Sequence, residues 1–227
     1  MKLIIFDMDQ TLVDFLAVHD EATQKLFRKY FDVEARLTEI DYSGRSLDSS
    51  FETLAKLKKI PENLFLEKSR YLLESYESAF AASLPEAPEK YVLPGVRELL
   101  ERLSRSDHII ALYTGDSRGI VNQVMQATGL GKYFRLFFYG TEVAAREDMV
   151  KQAIKQAGEF SAKEFSGKDI VIVGDSLRDV KCGRRFGALT IAVATGAHSR
   201  EQLAQEGPDY ILEDLSDYRR VLEIIGD

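Results

Sequence analysis

The sequence predicts an α/β protein built on a doubly wound, mostly parallel sheet with an all-helical insert. Three observations predict it. Short apolar runs that end in polar residues recur along the chain, helical periodicities separate most of them, and segment 15–88 carries helical patterns with no convincing strand. Strands alternating with helices imply right-handed crossovers and helices on both faces of one sheet.

Leu3 to Phe6 is the first run, apolar throughout and ended by acids, the form of a buried parallel strand. Next comes the insert. Leu26, Phe27 and Tyr30 suit one of its helices, and Leu72, Leu73, Tyr76 and Phe80 suit another. Pro85 and Pro88 mark the way out, and Pro94-Gly95 opens a helix with Val96, Leu99, Leu100 and Leu103 on one stripe. Ile109–Tyr113, Leu136–Tyr139, Ile170–Val173 and Leu189–Val193 repeat the strand form. Val150, Ala153, Ile154 and Ala157 form a helical stripe, as do Tyr218, Val221, Leu222 and Ile225. Ser199 with Gln202 three residues later is a capping box. The expected division is a core of 1–14 and 89–227 with a helical domain of 15–88.

Net charge and cysteine content narrow the function classes. A formal net charge of −7 disfavours a nucleic-acid or anionic-membrane partner, which needs a basic face. It leaves room for a small anionic substrate held by local cations. Cys182 is the single cysteine, so no intramolecular disulfide is possible, which fits a reducing compartment. The apolar run before Asp7, Leu3 to Phe6, has only four residues, too few for a signal peptide, and no run approaches a membrane span. A cytoplasmic protein is expected. The oligomeric state, monomer or dimer, is left open.

The chemistry gathers where strands end. Asp7 and Asp9 follow the first strand, and ligands of open parallel sheets bind beyond the strands' carboxyl ends. Two adjacent carboxylates repel unless a cation lies between them, and Mg²⁺ suits such oxygen donors; the plainer alternative is a pair of turn or cap acids. Ile170–Val173 runs into Gly174-Asp175, with Asp179 four residues on. Asp175 suits a metal ligand. Asp179 suits either a group that orients the ligand or a bound water, or a helix N-terminal acid. Ile109–Tyr113 leads to Thr114-Gly115-Asp116, where Thr114 reads either as a phosphoryl contact helped by the Gly115 N–H or as an N-cap.

Asp7-Met8-Asp9-Gln10-Thr11-Leu12, Thr114-Gly115 and Gly174-Asp175-Ser176-Leu177-Arg178-Asp179, in that order, resemble the haloacid dehalogenase-like superfamily. The match is to its phosphatase branch with an early helical cap. Gln10 stands where the family usually has glycine. Ala194-Thr195-Gly196 and Pro208-Asp209-Tyr210 add a likeness to phosphoglycolate phosphatase-type members. The resemblance implies a Rossmann-like core, with 15–88 as the cap. It implies a Mg²⁺-dependent phosphatase acting on a small phosphorylated metabolite. Asp7 would be the nucleophile and Asp9 the general acid and base. Mg²⁺ would be held by Asp7, the Asp9 backbone carbonyl and Asp175, with Asp179 close by.

The third motif departs from the family, which places a lysine just before the helix ahead of the fourth motif. Here Ala144-Ala145-Arg146-Glu147-Asp148 fills that slot. Arg146 lies one turn before Val150 on its stripe, whereas Lys151 and Lys155 lie off it, so the phosphoryl-facing cation is assigned to Arg146. In the insert, Asp41-Tyr42-Ser43-Gly44-Arg45-Ser46 resembles the substrate-contacting cap loop, with Gly44 and Arg45 as candidate substrate contacts; a solvated turn is the alternative. His19, His108 and His198 show no partner suggesting a triad or zinc site. Rival readings are a phosphosugar mutase of the same superfamily and a non-catalytic phospho-accepting or binding protein.

Overall fold

The computed structural model describes residues 1–226. Among these residues six parallel strands form one sheet: β1 (Leu3–Phe6), β2 (Ile109–Thr114), β3 (Leu136–Tyr139), β4 (Ile170–Gly174), β5 (Leu189–Val193) and β6 (Tyr210–Leu212). Their spatial order is β3-β2-β1-β4-β5-β6. From β1 the chain winds outward through β2 and β3, then crosses back to β4 and winds the other way. The carboxyl ends of β1, β2 and β4 therefore meet at the point where the winding reverses, the usual place for a ligand crevice.

Each strand residue points to the face opposite its neighbour. Ile4 and Phe6 enter the cluster that holds Leu99, Val124 and Val221. Leu3 and Ile5 enter the cluster that holds Val150, Ala153 and Cys182. Helices α4 (Val96–Leu103), α5 (Arg118–Thr128) and α9 (Tyr218–Ile225) cover the first face; α6 (Arg146–Ser161) and α7 (Leu177–Arg185) cover the second. The stripes read from the sequence are the buried ones: Val96, Leu99, Leu100 and Leu103 in α4, and Val150, Ala153 and Ala157 in α6. A short helix, α8 (Arg200–Gln205), starts at the Ser199–Gln202 capping box. β6 was not visible as an apolar run. It is a three-residue edge strand with Tyr210 exposed, so its burial leaves little pattern.

Residues 15–88 hold three α-helices among the described residues: α1 (Leu16–Phe31), α2 (Leu47–Leu57) and α3 (Glu62–Ser83). They pack through aromatic rings. Phe27 and Phe51 lie 5.8 Å apart at their centroids, and Phe51 and Tyr76 lie 5.0 Å apart. Truncating Phe51, which is fully buried, would cost about 3–5 kcal/mol. The two connectors to the sheet run side by side. Val13 bridges Val92, Asp14 N–H donates to Tyr91 O at 2.8 Å, and Leu93 N–H donates to Leu12 O at 2.9 Å. Among the described residues, no helix is long and apolar enough to cross a membrane.

Candidate active site

Past Phe6 the chain keeps strand-like alternation for three more residues. Met8 turns into the core, and Asp7 and Asp9 face the crevice. The next residues close a tight turn, with Gln10 N–H donating to Val13 O at 2.7 Å and Leu12 N–H to Met8 O at 2.8 Å. This turn needs a left-handed residue, and Gln10 takes that conformation with φ 60°. A non-glycine there is strained, which explains why glycine is usual at this position. Gln10 is held by its side-chain bond to Asp14 Oδ1 at 2.6 Å and by a Thr195 hydroxyl donating to its carbonyl.

Asp7 just past β1, Asp175 just past β4 and Asp179 in the first turn of α7 converge, with a carboxylate oxygen of each within 4.8 Å of the others. Gly196 makes room for Asp175: a Cβ there would meet Asp175 Oδ2 at 1.8 Å. Burial, then the Asp179 carboxylate, push Asp7 well above the usual carboxylate range despite Arg146 beside it. Burial and Asp179 push Asp175 up to about 7. Arg146, at the first turn of α6, points its guanidinium inward. Its Nη2 donates to Asp7 Oδ1 and to Asp179 Oδ1, and its Nε donates to Asp179 Oδ1 at 3.0 Å. Lys151 is exposed and pairs with Asp148 at 2.8 Å. Arg146 therefore reaches Asp7 and Asp179; its hydrogen bonds do not go to Asp175.

This donor set fits a hard divalent cation. Three buried carboxylates gather with one guanidinium, and burial first, then the neighbouring carboxylates, raise Asp7 and Asp175, a cost of ionisation that Mg²⁺ would offset. The fit is best at Asp7 and Asp175. Both oxygens of Asp179 already accept bonds, Oδ1 from Arg146 and Tyr113 and Oδ2 from the Ser176 N–H and hydroxyl.

A small cavity of about 60 Å³ lies between this cluster and the insert. Asp7, Asp9, Thr114, Gly115 and Asp116 line it from the sheet; Leu16, His19, Tyr42, Gly44 and Arg45 are among those lining it from the insert. Thr114 is buried at the end of β2, and its hydroxyl accepts the Asp116 N–H at 3.2 Å; the N-cap of α5 is Ser117. The loop 41–46 rests directly on the sheet loops. Gly115 O accepts Leu47 N–H at 3.0 Å, and a Cβ on Gly115 would meet Arg45 O at 1.8 Å. Ser43 donates to Asp175 Oδ2 at 2.9 Å, and Arg178 reaches back to Ser43 O and Asp41 Oδ2. Arg45 turns its Nε onto Asp41 O at 2.6 Å and its Nη1 toward Ser49 Oγ at 3.3 Å. Gly44 adopts φ 69° in this loop.

His19 is the residue the sequence did not point to. It lies in α1, ten positions after Asp9. In the fold its Nε2 reaches Asp9 Oδ1 at 3.4 Å and Asp116 Oδ2 at 3.9 Å, and its Nδ1 meets the Tyr76 hydroxyl at 3.0 Å. The sequence shows no partner for His19 that suggests a triad or zinc site; the fold brings two carboxylates to it. Burial would lower its pKa, but Asp116 and Asp9 outweigh burial and push it up to about 9. Asp9 moves the opposite way: burial raises it, and His19 brings it below the usual carboxylate range. Burial and Asp9 raise Asp116 well above that range.

The model of the haloacid dehalogenase-like hydrolases matches residues 4–193, from the second residue of β1 to the end of β5, and includes all the carboxylates above. The chain belongs to this family. A relative within it, the phosphoglycolate phosphatase of Synechococcus elongatus, is 28% identical over 96% of this chain and 95% of its own. The pyrophosphatase PpaX of Oceanobacillus iheyensis is 22% identical over 100% of this chain and 98% of its own. The fold is shared with the β-phosphoglucomutase of Clostridium difficile, at a TM-score of 0.81 and 16% identity, covering 100% of this chain and 97% of that one. A haloacid dehalogenase-like family hydrolase from Streptococcus pneumoniae has the same fold, with a TM-score of 0.73, 21% identity, and coverage of 98% and 97%.

Proposed function

We propose that this family member is a Mg²⁺-dependent phosphatase that hydrolyses a small phosphorylated metabolite, phosphoglycolate- or sugar-phosphate-like, through an aspartyl phosphate on Asp7. The observation that carries the reading is Asp7 itself. Its carboxylate is buried at the end of β1, shares Arg146 with Asp179, and opens onto a cavity that Asp9 lines beside it.

Asp7, the Asp9 backbone carbonyl and Asp175 would hold Mg²⁺, which when bound supplies charge stabilisation for the phosphoryl oxygens. An Asp7 oxygen bonds to phosphorus as the ester P–O bond breaks, and Asp9 passes a proton to the leaving oxygen. His19, with Nε2 3.4 Å from Asp9 Oδ1 and its pKa pushed up to about 9 by Asp116 and Asp9, is the group that would supply that proton to Asp9. Asp9 then takes a proton from water, the water oxygen bonds to phosphorus, and the Asp7–phosphorus bond breaks to release phosphate. Thr114 and Arg146 offer donors to the phosphoryl oxygens throughout. Gly115 and Asp116 shape the sheet side of the pocket, and Gly44 and Arg45 shape the insert side.

Residues 15–88 act as a cap that closes over this pocket, hinged where Val13 pairs with Val92. Support comes from the loop 41–46, which sits on Gly115 and Asp175. Phosphate release from a panel of phosphorylated metabolites, with Mg²⁺ and with chelator, tests the activity. Mass detection of a phosphorylated Asp7 peptide after an acid quench tests the intermediate.

A phosphosugar mutase is the second reading. The observation that favours it is His19, an insert residue beside Asp9. A hexose 1-phosphate converted to its isomer without phosphate release would decide for it.

A further inference from the structure

The steps above leave Tyr113 without a role. It is fully buried at the fifth position of β2, on the sheet face covered by α6. The Arg146 guanidinium carbon lies 4.0 Å from the centroid of its ring. The Tyr113 hydroxyl donates to Asp179 Oδ1 at 2.5 Å, the same oxygen that accepts Arg146 Nε at 3.0 Å. The other Asp179 oxygen takes the Ser176 N–H at 3.0 Å and the Ser176 hydroxyl at 2.5 Å. The carboxylate is thus held at both ends, and the arginine lies between it and an aromatic face.

We propose that Tyr113 is a positioning residue for the reaction, setting both the plane and the in-plane rotation of Arg146 so that Nη2 meets Asp7. This rests on the reading of Arg146 as the phosphoryl-facing cation. The physical need is specific to arginine. An ammonium is a compact point charge that finds its place by charge alone, whereas a guanidinium is flat and must be aimed. The ring face attracts the cation and fixes its plane. The hydroxyl, acting through Asp179, fixes where the Nε edge points. A tyrosine that only filled the core would need neither contact.

The test crosses Tyr113→Phe and Tyr113→Leu with Arg146→Lys. It reads kcat and KM separately, together with the ¹⁵N-resolved Nε–H signal of Arg146 in the substrate-free protein. Tyr113→Phe keeps the ring and loses the hydroxyl, and kcat should fall about 3-fold to 10-fold. Tyr113→Leu loses both, and kcat should fall about 10-fold to 100-fold, with KM within about 2-fold. Arg146→Lys should then cost much less in the Tyr113→Leu background than in wild type. The Arg146 Nε–H signal should shift in Tyr113→Phe and broaden or vanish in Tyr113→Leu. Costs that simply multiply, or an unchanged Nε–H signal in both variants, would overturn the proposal. If no phosphate ester is turned over, the phosphatase reading fails and the Nε–H signal alone decides the positioning role. If Tyr113→Leu does not fold, the Tyr113→Phe cycle and its signal decide.

Discussion

His19 Nε2 lies 3.4 Å from Asp9 Oδ1, so a side chain of the helical insert completes the surroundings of an acid on the sheet. Folding raises the histidine from its ordinary value near 6.5 to about 9. The native state therefore holds more protons than the unfolded chain between these values. The stability this contributes is fully present below about pH 6.5 and is lost as pH rises through about 9, on the order of a few kcal/mol. Denaturant unfolding of wild type and His19→Gln across pH 6–9.5 measures it. The variant should be less stable at the acid end, and the difference should shrink as pH rises. A difference independent of pH would sink the linkage.

Asp7→Asn should abolish phosphate release and leave a folded protein. The amide cannot act as the nucleophile, and it removes one of three like charges from a buried cluster. Near wild-type turnover by this variant would rule out the covalent route. Thermal melts give an independent reading. Mg²⁺ should raise the Tm of wild type by binding the native state, and Asp175→Asn should lose most of that increase. Ca²⁺ should support turnover poorly, because its longer bonds and larger ligand set misplace the phosphoryl group.

Arg146→Ala should lower kcat by about 10²-fold to 10³-fold, the usual cost of losing a group aimed at developing charge. It also leaves Asp7 and Asp179 facing each other without their shared cation, so the variant should bind Mg²⁺ no less tightly than wild type while turning over slowly. Arg146→Lys should recover part of the rate through charge, without the fork that bridges both carboxylates. Equal rates for wild type and Arg146→Ala at saturating Mg²⁺ would remove the role.

Glu77, in α3, makes a second contact between the insert and the loop after β2. Its Oε1 accepts the Ser117 hydroxyl at 2.5 Å and the Gly119 N–H at 3.1 Å, at the start of α5. Glu77→Ala should cost about 1–2 kcal/mol, as for loss of a helix cap. It should also make the connectors near Val13 and Val92 more open to protease. Unchanged Tm and unchanged cleavage would show that this contact does not hold the insert in place.

The strands Leu3–Phe6 and Ile170–Gly174 were legible because burial on both faces demands unbroken apolar runs, and that demand is written locally in the chain. The same holds for the stripe of α6 and for the acids just past each strand end. Arg146 could be preferred over Lys151 because helical periodicity alone decides which of two nearby cations faces the sheet. His19, Ser43 and Tyr113 were beyond such reasoning. Each meets its partner across a sequence separation that no period spans: His19 with Asp116, Ser43 with Asp175, Tyr113 with Asp179. Local periodicity determines which way a side chain points from its own element. Only the winding of the sheet, and the seating of the insert on it, decided what each one points at.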